Sequence, residues 1–171
     1  MTGPEPQRHP ALGHPAPGHP VPDFCLPDVH GTPVRLSDLR GAPVLVVFLP
    51  FAFSRVCTGE VHALQRDRGM FDARDVRLLG VTCDPVPALR AWTETEGIHL
   101  DLLSDFWPHG RTAADYGVLD ERSGFARRGS FLVDADGVLR WSVVTASGTA
   151  RAPAAYREGL RRLPASATPT H

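Results

Sequence analysis

Residues 44–64 read VLVVFLPFAFSRVCTGEVHAL, and this stretch decides the fold. The apolar, β-branched run at 44–49 predicts a strand that is buried on both faces, as in the middle of an α/β sheet. Pro50 ends the run because proline has no N–H group for the strand ladder. Ser54 is a suitable N-cap for a helix that follows the strand. Cys57 is therefore expected in the first turn of that helix.

The position of Cys57 predicts a reactive side chain. Backbone N–H groups without partners and the positive end of the helix dipole favour an anion in the first turn of a helix. Both effects favour the thiolate over the thiol, and the thiolate is the nucleophilic form of cysteine. We therefore take Cys57 as a candidate nucleophile.

The bulk properties predict an ordinary soluble protein. The chain has 171 residues, 42% of them hydrophobic and 22% charged, and a formal net charge of -1. A charge so close to zero gives no electrostatic reason to expect a nucleic acid or an anionic membrane as a partner. No apolar run approaches the ~18–20 residues of a transmembrane helix, and the N-terminus shows no signal-peptide pattern. We therefore expect a cytoplasmic protein whose three cysteines are reduced.

The rest of the hydrophobic pattern predicts a thioredoxin-like α/β fold, in which helices flank a central mixed sheet. The β-α-β-α order behind the first strand predicts a right-handed parallel crossover. The sequence also predicts an N-terminal β-hairpin around His30 and Gly31, and a later hairpin around the Asp-Gly turn at 136–137. The remaining expected elements are a helix from Ser54 to about Ala73, a strand at 76–82, and helices at about 86–96, 111–116 and 153–162.

The chain is expected to form a single domain over residues 21–163. Residues 1–20 are rich in proline, glycine and histidine and have little apolar surface to bury, so a disordered tail is expected there. A solvated tail is favoured over a metal site made by its regularly spaced histidines. Residues 164–171 are expected to form a second, flexible tail.

The order of Pro50, Ser54 and Cys57 suits the attack of a thiolate on an O–O bond. Such an attack needs an ionised sulfur, shielding from bulk water, and hydrogen-bond donors for both peroxide oxygens. Pro50 can cover the sulfur, while the Ser54 hydroxyl and the Cys57 N–H can point at the substrate. An arginine in contact with the sulfur would supply further charge stabilisation, so we expect the chain to provide one.

These residues form the pattern P-x-x-x-(T/S)-x-x-C, which resembles the active-site motif of the peroxiredoxins. The string FLPFAFSRVCTGE, together with SDFWPHG at 104–110, YGV at 116–118 and RRGSFLVD at 127–134, resembles the AhpE-type one-cysteine class. The resemblance covers roughly residues 21–145, in matching order. It implies a thiol-dependent peroxidase without a cofactor or metal that reduces hydrogen peroxide, organic hydroperoxides or peroxynitrite.

The resemblance also implies roles for individual residues. Cys57 would be the peroxidatic cysteine, and Pro50 and Ser54 would be the proline and the hydroxyl residue of the motif. The arginine of the family's late R-G-(S/T)-F strand falls on Arg128, and Glu60 would help to hold that arginine. Serine is less usual than threonine at the hydroxyl position. It lacks the methyl group that restricts the rotamer, so we expect activity with looser positioning.

Three aromatic residues beside the motif are candidates for the substrate pocket, namely Phe51, Phe53 and Trp107. The tryptophan belongs to the F-W-P string and would lie near the rim of the active site. Loops of this kind often form a dimer interface in the family, so the resemblance also implies a homodimer. The alternative is that these aromatic side chains belong to the core.

The sequence leaves open which thiol reduces the sulfenic acid that peroxide would form on Cys57. Some relatives carry a resolving cysteine five residues later, but that position is His62. Cys25 is expected to be a small core residue. Cys83 ends a strand that is expected to lie beside the strand leading into the Cys57 helix. It is therefore a possible resolving cysteine if the Cα atoms of Cys57 and Cys83 come within about 7 Å. The favoured interpretation is a one-cysteine mechanism with an external thiol or a redoxin as reductant.

Other functions stay open at this point. A peroxide-sensing redox relay with the same fold would use the same cysteine, and a non-enzymatic thioredoxin-fold binding module would not need it. Disulfide exchange of the thioredoxin type is disfavoured because the chain has no CxxC motif. A hairpin turn explains the acidic residues at 134–137 better than a calcium loop does. Arg127 is expected to be solvated rather than to bind phosphate.

Overall fold

The computed structural model describes residues 13–165. Within this range the chain forms nine strands and five helices. The strands are β1 (Cys25–Pro27), β2 (Pro33–Arg35), β3 (Val44–Phe48), β4 (Arg77–Thr82), β5 (Asp101–Ser104), β6 (Leu119–Asp120), β7 (Phe125–Ala126), β8 (Arg128–Val133) and β9 (Leu139–Thr145). The helices are α1 (Arg55–Arg66), α2 (Arg68–Asp72), α3 (Val86–Glu96), α4 (Arg111–Asp115) and α5 (Pro153–Arg161), with one 3-10 turn at Leu36–Leu39.

The central sheet has the strand order β5-β4-β3-β8-β9. Strand β3 runs parallel to β4, and β4 runs parallel to β5, while β8 is antiparallel to both β3 and β9. The predicted mixed sheet is therefore confirmed. Because β3 and β8 run in opposite directions, β8 begins at the edge of the sheet where β3 ends. The register pairs Phe48 with Gly129, which brings Arg128 to that edge.

The two faces of β3 contribute to two separate hydrophobic layers, since successive side chains of a strand point to opposite faces. Leu45 and Val47 pack in the layer that contains α1, α3 and α5. Val46 and Phe48 pack in the layer that contains α4 and the side chain of Phe131. All five residues of β3 are buried, as the continuous apolar run predicts.

The helix expected from Ser54 to about Ala73 is divided at Asp67 into α1 and α2. Asp67 has φ -91° and ψ 11°, outside the α-helical range of a regular helix. Asp67 and Gly69 are both poor helix formers, which explains why the break falls here. Gly97 ends α3 with φ 62°, a left-handed conformation that glycine adopts without strain.

The N-terminal hairpin of β1 and β2 is confirmed, but Cys25 is not a core residue. Leu26 is buried and its neighbour Cys25 is exposed, because alternate residues of a strand face opposite sides. The expectation of a small core cysteine was therefore wrong. An isolated bridge between Asp28 and Leu103 ties the hairpin to the edge strand β5.

The described part of the proline- and histidine-rich segment contacts the domain. The Gly18 N–H donates to the Leu139 carbonyl at 2.8 Å, and the Leu139 N–H donates to the His19 carbonyl at 2.9 Å. The start of β9 has backbone groups that need partners, and this segment supplies them. A disordered tail is expected for residues 1–20, whereas Gly18 and His19 make ordered contacts with the domain. The domain boundary at residue 21 stays a prediction. Residues 1–12 and 166–171 lie outside the described range.

No helix within residues 13–165 is both long enough and apolar enough to cross a membrane.

Candidate active site

Cys57 lies in the first turn of α1, and its side chain is fully buried. The helix begins at Arg55 with Ser54 as the N-cap, in an extended conformation with φ -63° and ψ 132°. The Ser54 side chain makes no capping hydrogen bond. Its partly exposed hydroxyl is therefore not used by the helix and can contact a ligand. Pro50, which follows β3, is buried.

Arg128 contacts the Cys57 sulfur. Its Nη2 lies 3.4 Å from Cys57 Sγ, and its side chain is almost completely buried. A guanidinium group at this distance stabilises a thiolate through its charge and by donating a hydrogen bond. The two residues are 71 positions apart in the sequence, and the antiparallel pairing of β3 with β8 brings them together.

Glu60 binds the other side of the same guanidinium group. It lies three residues after Cys57, so both side chains are on one face of α1. Arg128 Nη1 donates to Glu60 Oε2, and Arg128 Nε donates to the Ser147 carbonyl. Three nitrogens of Arg128 thus have separate acceptors, and together they define the orientation of the guanidinium group.

A second buried arginine, Arg151, binds the same carboxylate, and the sequence analysis did not identify it. Its backbone N–H and its Nε donate to Glu60 Oε1 at 2.8 and 3.0 Å, and its Nη2 donates to Glu60 Oε2 at 3.0 Å. Its Nη1 donates to the Phe48 and Gly129 carbonyls at 3.0 and 2.9 Å. Arg151 lies in the loop before α5, where no local pattern marks it among the other arginines of the chain. A thiolate at Cys57 and the Glu60 carboxylate would balance the two guanidinium charges.

The carboxyl group of Glu60 is held in its charged form. Desolvation by burial raises its pKa, but the hydrogen bonds and the charge of Arg151, followed by the charge of Arg128, more than offset this effect. The pKa of Glu60 therefore lies below its ordinary value. A charged Glu60 binds both arginines, and one of them, Arg128, contacts the sulfur.

Cys83 follows β4 and is half-buried, and its environment disfavours a thiolate. Burial, followed by the nearby charge of Asp105, raises the pKa of Cys83 to about 12. A thiol with such a pKa is almost entirely protonated at neutral pH and is a poor nucleophile. Cys25, Cys57 and Cys83 are all free.

Four aromatic side chains are exposed in the loops that follow β3 and β5. Phe51 is 44% exposed, Phe53 51%, Phe106 49% and Trp107 69%. The carboxyl ends of these two parallel-running strands lie at one edge of the sheet, the edge at which α1 begins. The alternative that Phe51, Phe53 and Trp107 are core residues is therefore wrong. We call these four residues the aromatic patch.

A cleft of about 320 Å³ is lined by residues of α1, of α5 and of the loop before α5. Its walls include Val56 and Glu60 of α1, Arg151 and Tyr156, and Cys57 does not line it. The sulfur is therefore not part of the cleft wall, although Glu60 and Arg151 are. Arg127, the exposed neighbour of Arg128, donates to the Gly117 carbonyl at 2.7 Å, which agrees with a structural role.

The chain is similar to known proteins. The chain matches the sequence model of the AhpC/TSA family over residues 17–142. It is 38% identical over 133 residues to the alkyl hydroperoxide reductase E of Mycobacterium tuberculosis, which covers 77% of this chain and 87% of that protein. It is 37% identical over 114 residues to peroxiredoxin-2 of Bos taurus, which covers 63% of this chain and 56% of that protein.

Solved structures show the same fold. The structure of peroxidoxin BcpB from Mycobacterium tuberculosis superposes with a TM-score of 0.74 at 29% sequence identity, covering 87% of this chain and 96% of that one. The structure of AhpC from Enterococcus faecalis superposes with a TM-score of 0.77 at 29% identity, covering 86% of this chain and 91% of that one. The family match over residues 17–142 includes the segment around Cys57.

Proposed function

The chain belongs to the AhpC/TSA family, and from this membership and the contact between Cys57 and Arg128 we propose that it is a thiol-dependent peroxidase. Its substrates are hydrogen peroxide, organic hydroperoxides or peroxynitrite. The observation that carries the proposal is the buried Arg128 guanidinium group 3.4 Å from the Cys57 sulfur. The name of a similar protein, alkyl hydroperoxide reductase E, supports organic hydroperoxides as substrates of this chain.

In the first half of the reaction, the Cys57 thiolate attacks one oxygen of the peroxide. An S–O bond forms and the O–O bond breaks. The leaving oxygen of hydrogen peroxide or an organic hydroperoxide takes up a proton and departs as water or an alcohol, whereas peroxynitrite releases nitrite. Cys57 is thereby oxidised to the sulfenic acid. Arg128, the Ser54 hydroxyl and the Cys57 N–H donate hydrogen bonds to the peroxide oxygens as charge moves along the O–O bond.

Other residues hold or shield this arrangement. Glu60 orients Arg128, and Pro50 covers the sulfur from bulk water. Phe51, Phe53 and Trp107 form the outer part of the substrate pocket. Apolar side chains in that position suit an organic hydroperoxide better than hydrogen peroxide, because they bury its carbon chain.

In the second half, an external thiol reduces the sulfenic acid. Its sulfur attacks Cys57 Sγ, the hydroxyl group leaves as water, and a mixed disulfide forms. A second thiol then attacks the mixed disulfide and returns Cys57 to its reduced state. The raised pKa of Cys83 supports an external reductant, either a small thiol or a redoxin, over an internal disulfide. Since this half-reaction needs reduced thiols, we place the protein in the cytoplasm.

We also propose that the protein is a homodimer whose interface includes the aromatic patch. Large aromatic side chains are enriched at protein interfaces, where they bury apolar area at a low cost in conformational entropy. The four exposed aromatic residues of the patch support this assignment.

The proposed function is tested by mixing the reduced protein with peroxide in a stopped-flow instrument. We expect oxidation far faster than that of free cysteine, and a gain of one oxygen on Cys57 in intact mass spectra after one equivalent of peroxide. The Cys57→Ser variant should not react, while Cys25→Ser serves as a matched control that should react normally. Oxidation no faster than that of a free thiol would refute the peroxidase. Fast oxidation without turnover on any thiol or redoxin would instead indicate a redox relay.

A further inference from the structure

Two buried hydroxyl groups face each other behind the active site. Ser130 Oγ lies 3.1 Å from Tyr156 Oη. Ser130 is fully buried in β8, two residues after Arg128, and Tyr156 on α5 is 5% exposed. Buried hydroxyl groups need hydrogen-bond partners, and each of these groups supplies one to the other. The pair therefore joins α5 to the strand that carries Arg128.

The hydroxyl pair is connected to the reactive sulfur through a continuous chain of hydrogen bonds. Ser130 Oγ accepts from Arg151 Nη1 at 3.1 Å, and Arg151 donates to the Glu60 carboxylate. Glu60 accepts from Arg128, whose Nη2 contacts Cys57 Sγ. All these side chains are buried, so bulk water competes little for their donors and acceptors.

We propose that Tyr156 is a positioning residue for the peroxide reaction, whose hydroxyl acts through Ser130 and Arg151 to keep Glu60 and Arg128 in place around Cys57. This inference rests on the proposed function, because it concerns the rate at which Cys57 reacts with peroxide. Tyr156 does not contact the sulfur itself. It orients the side chain of Arg151, which in turn orients Glu60.

The charges around the pair agree with this role. The charged groups that act on it are Arg151 from the loop before α5 and Glu60 from α1. Burial raises the pKa of Tyr156, with smaller opposing contributions from the Arg151 charge and the Ser130 hydrogen bond. The phenol therefore keeps its proton at neutral pH and serves as a neutral hydrogen-bond partner.

The ring of Tyr156 also packs in the core, and the experiment must separate this contribution from that of the hydroxyl group. The ring lies edge-on to Phe71, with centroids 6.0 Å apart, and tilted against Trp141 at 5.9 Å. Tyr156→Phe keeps this packing and removes only the hydroxyl. Tyr116→Phe is the matched control, because Tyr116 is fully buried and its hydroxyl donates to the Pro22 carbonyl at 2.8 Å in the other layer of the domain.

The test measures the oxidation of the reduced protein by hydrogen peroxide, and the alkylation of Cys57 by iodoacetamide as a function of pH. We expect Tyr156→Phe to react about fivefold more slowly with peroxide at neutral pH, as the loss of one buried hydrogen bond predicts. Alkylation of Cys57 at neutral pH should slow as well. Tyr116→Phe should match the wild type in both measurements, even where it loses as much thermal stability as Tyr156→Phe.

A double-mutant cycle with Ser130→Ala tests the route of the effect. If Tyr156 acts through Ser130, the double variant should react no more slowly than Ser130→Ala alone, since the two changes remove the same connection. Ser130→Ala, which removes the hydroxyl that contacts Arg151, also stands in for Tyr156→Phe if the latter does not fold.

The outcomes for this inference and for the proposed function are distinct. A wild type that oxidises rapidly, together with a Tyr156→Phe variant that has the same rate and the same pH profile, would refute the positioning role alone. Strictly additive effects of the two hydroxyl deletions would also refute it. A wild type that is no faster than a free thiol would refute the peroxidase.

Discussion

Arg151 lies 91 positions after Glu60 in the chain, yet its backbone N–H and two of its guanidinium nitrogens all donate to the Glu60 carboxylate. A buried charge is costly unless it is paired and hydrogen-bonded. Glu60 meets this requirement for both Arg151 and Arg128. The Glu60 carboxylate is therefore the counter-charge that Arg128 and Arg151 share.

Arg128 is expected to control both the reactivity of Cys57 and the stabilisation of the peroxide. Replacing Arg128 with alanine should slow oxidation by about 100-fold, the usual cost of losing one donor that stabilises a transition state. Alkylation of Cys57 at neutral pH should also slow, because the sulfur loses its positive partner. Stopped-flow oxidation and the pH profile of iodoacetamide alkylation measure the two effects.

Arg127→Ala is the matched control for this variant. Arg127 is the adjacent arginine, is exposed and donates to the Gly117 carbonyl. We expect its removal to leave both measurements close to those of the wild type. If Arg128→Ala and Arg127→Ala lost the same amount of reactivity in both measurements, the contact of Arg128 with the sulfur would have no specific effect.

Replacing Glu60 with glutamine should destabilise the fold and change its response to acid. The variant removes the carboxylate charge that the two buried arginines share, which we expect to cost about 3 kcal/mol of unfolding free energy. The pKa of Glu60 is lowered from 4.5 in the folded protein. The contribution of its carboxylate to stability is therefore present above pH 4.5 and is lost as the pH falls through the lower folded pKa.

The measurement is urea unfolding of wild type and Glu60→Gln from neutral pH down to about pH 3. The loss of stability on acidification should be smaller in the variant than in the wild type. Glu158→Gln is the control, because Glu158 forms ion pairs with Arg161 and Arg162 on the exposed surface of α5. Surface pairs contribute little to stability, so this variant should resemble the wild type. Parallel acid curves for wild type and Glu60→Gln would contradict the assignment.

Cys83→Ser should leave peroxidase turnover unchanged with any external thiol. Its pKa of about 12 leaves almost no thiolate at neutral pH, so Cys83 cannot efficiently attack a sulfenic acid on Cys57. Steady-state turnover and intact mass spectrometry of the oxidised protein measure the effect. A disulfide between Cys57 and Cys83 in the wild type, lost together with turnover in Cys83→Ser, would overturn the one-cysteine mechanism.

Substitutions at Ser54 can separate the contribution of its hydroxyl to activity from its contribution to stability. Its side chain makes no capping hydrogen bond, so Ser54→Ala should leave the melting temperature nearly unchanged. Oxidation by peroxide should nevertheless slow by about 10-fold or more, because the substrate loses a hydrogen-bond donor. Ser54→Thr keeps the hydroxyl and should retain activity. A loss of stability equal to the loss of activity in Ser54→Ala would indicate a structural role instead.

Trp107→Arg tests the aromatic patch as a dimer interface. Trp107 is 69% exposed in the described chain, so the change should not disturb the fold of the subunit. A charged side chain within an apolar interface is costly, and we expect the variant to shift towards monomer in sedimentation experiments. Arg161→Glu, on the exposed part of α5, is a control that should keep the oligomeric state of the wild type. An unchanged sedimentation profile in Trp107→Arg would place the interface elsewhere or exclude a dimer.

Local patterns were sufficient to predict the elements that carry Cys57. The continuous apolar run of β3 indicates a strand buried on both faces, and Ser54 marks the start of α1. Both signals depend on residues within a few positions of each other. Two predictions failed for different reasons. The break at Asp67 follows from the weak helix propensity of Asp67 and Gly69, whereas the exposure of Cys25 depends on which face of β1 meets the core.

The contact of Arg128 with Cys57 was expected from the resemblance to a known motif and not from the local pattern. Neither the local sequence pattern nor the resemblance to a known motif identified Arg151. It belongs to a loop with no distinguishing pattern, and its partners come from Phe48, Glu60 and β8. Residue type does not distinguish it from the exposed arginines of the same chain.

The amino-acid sequence by itself determined the strand and helix that present Cys57, because hydrophobic periodicity and helix capping act over a few neighbouring residues. Only the tertiary structure decided which of the chain's arginines are buried beside Glu60 and which remain in solvent. The register of β3 against β8 and the path of the loop before α5 bring Arg128 and Arg151 to one carboxylate. Burial then makes that pairing obligatory, since an unpaired charge in the core would destabilise the fold.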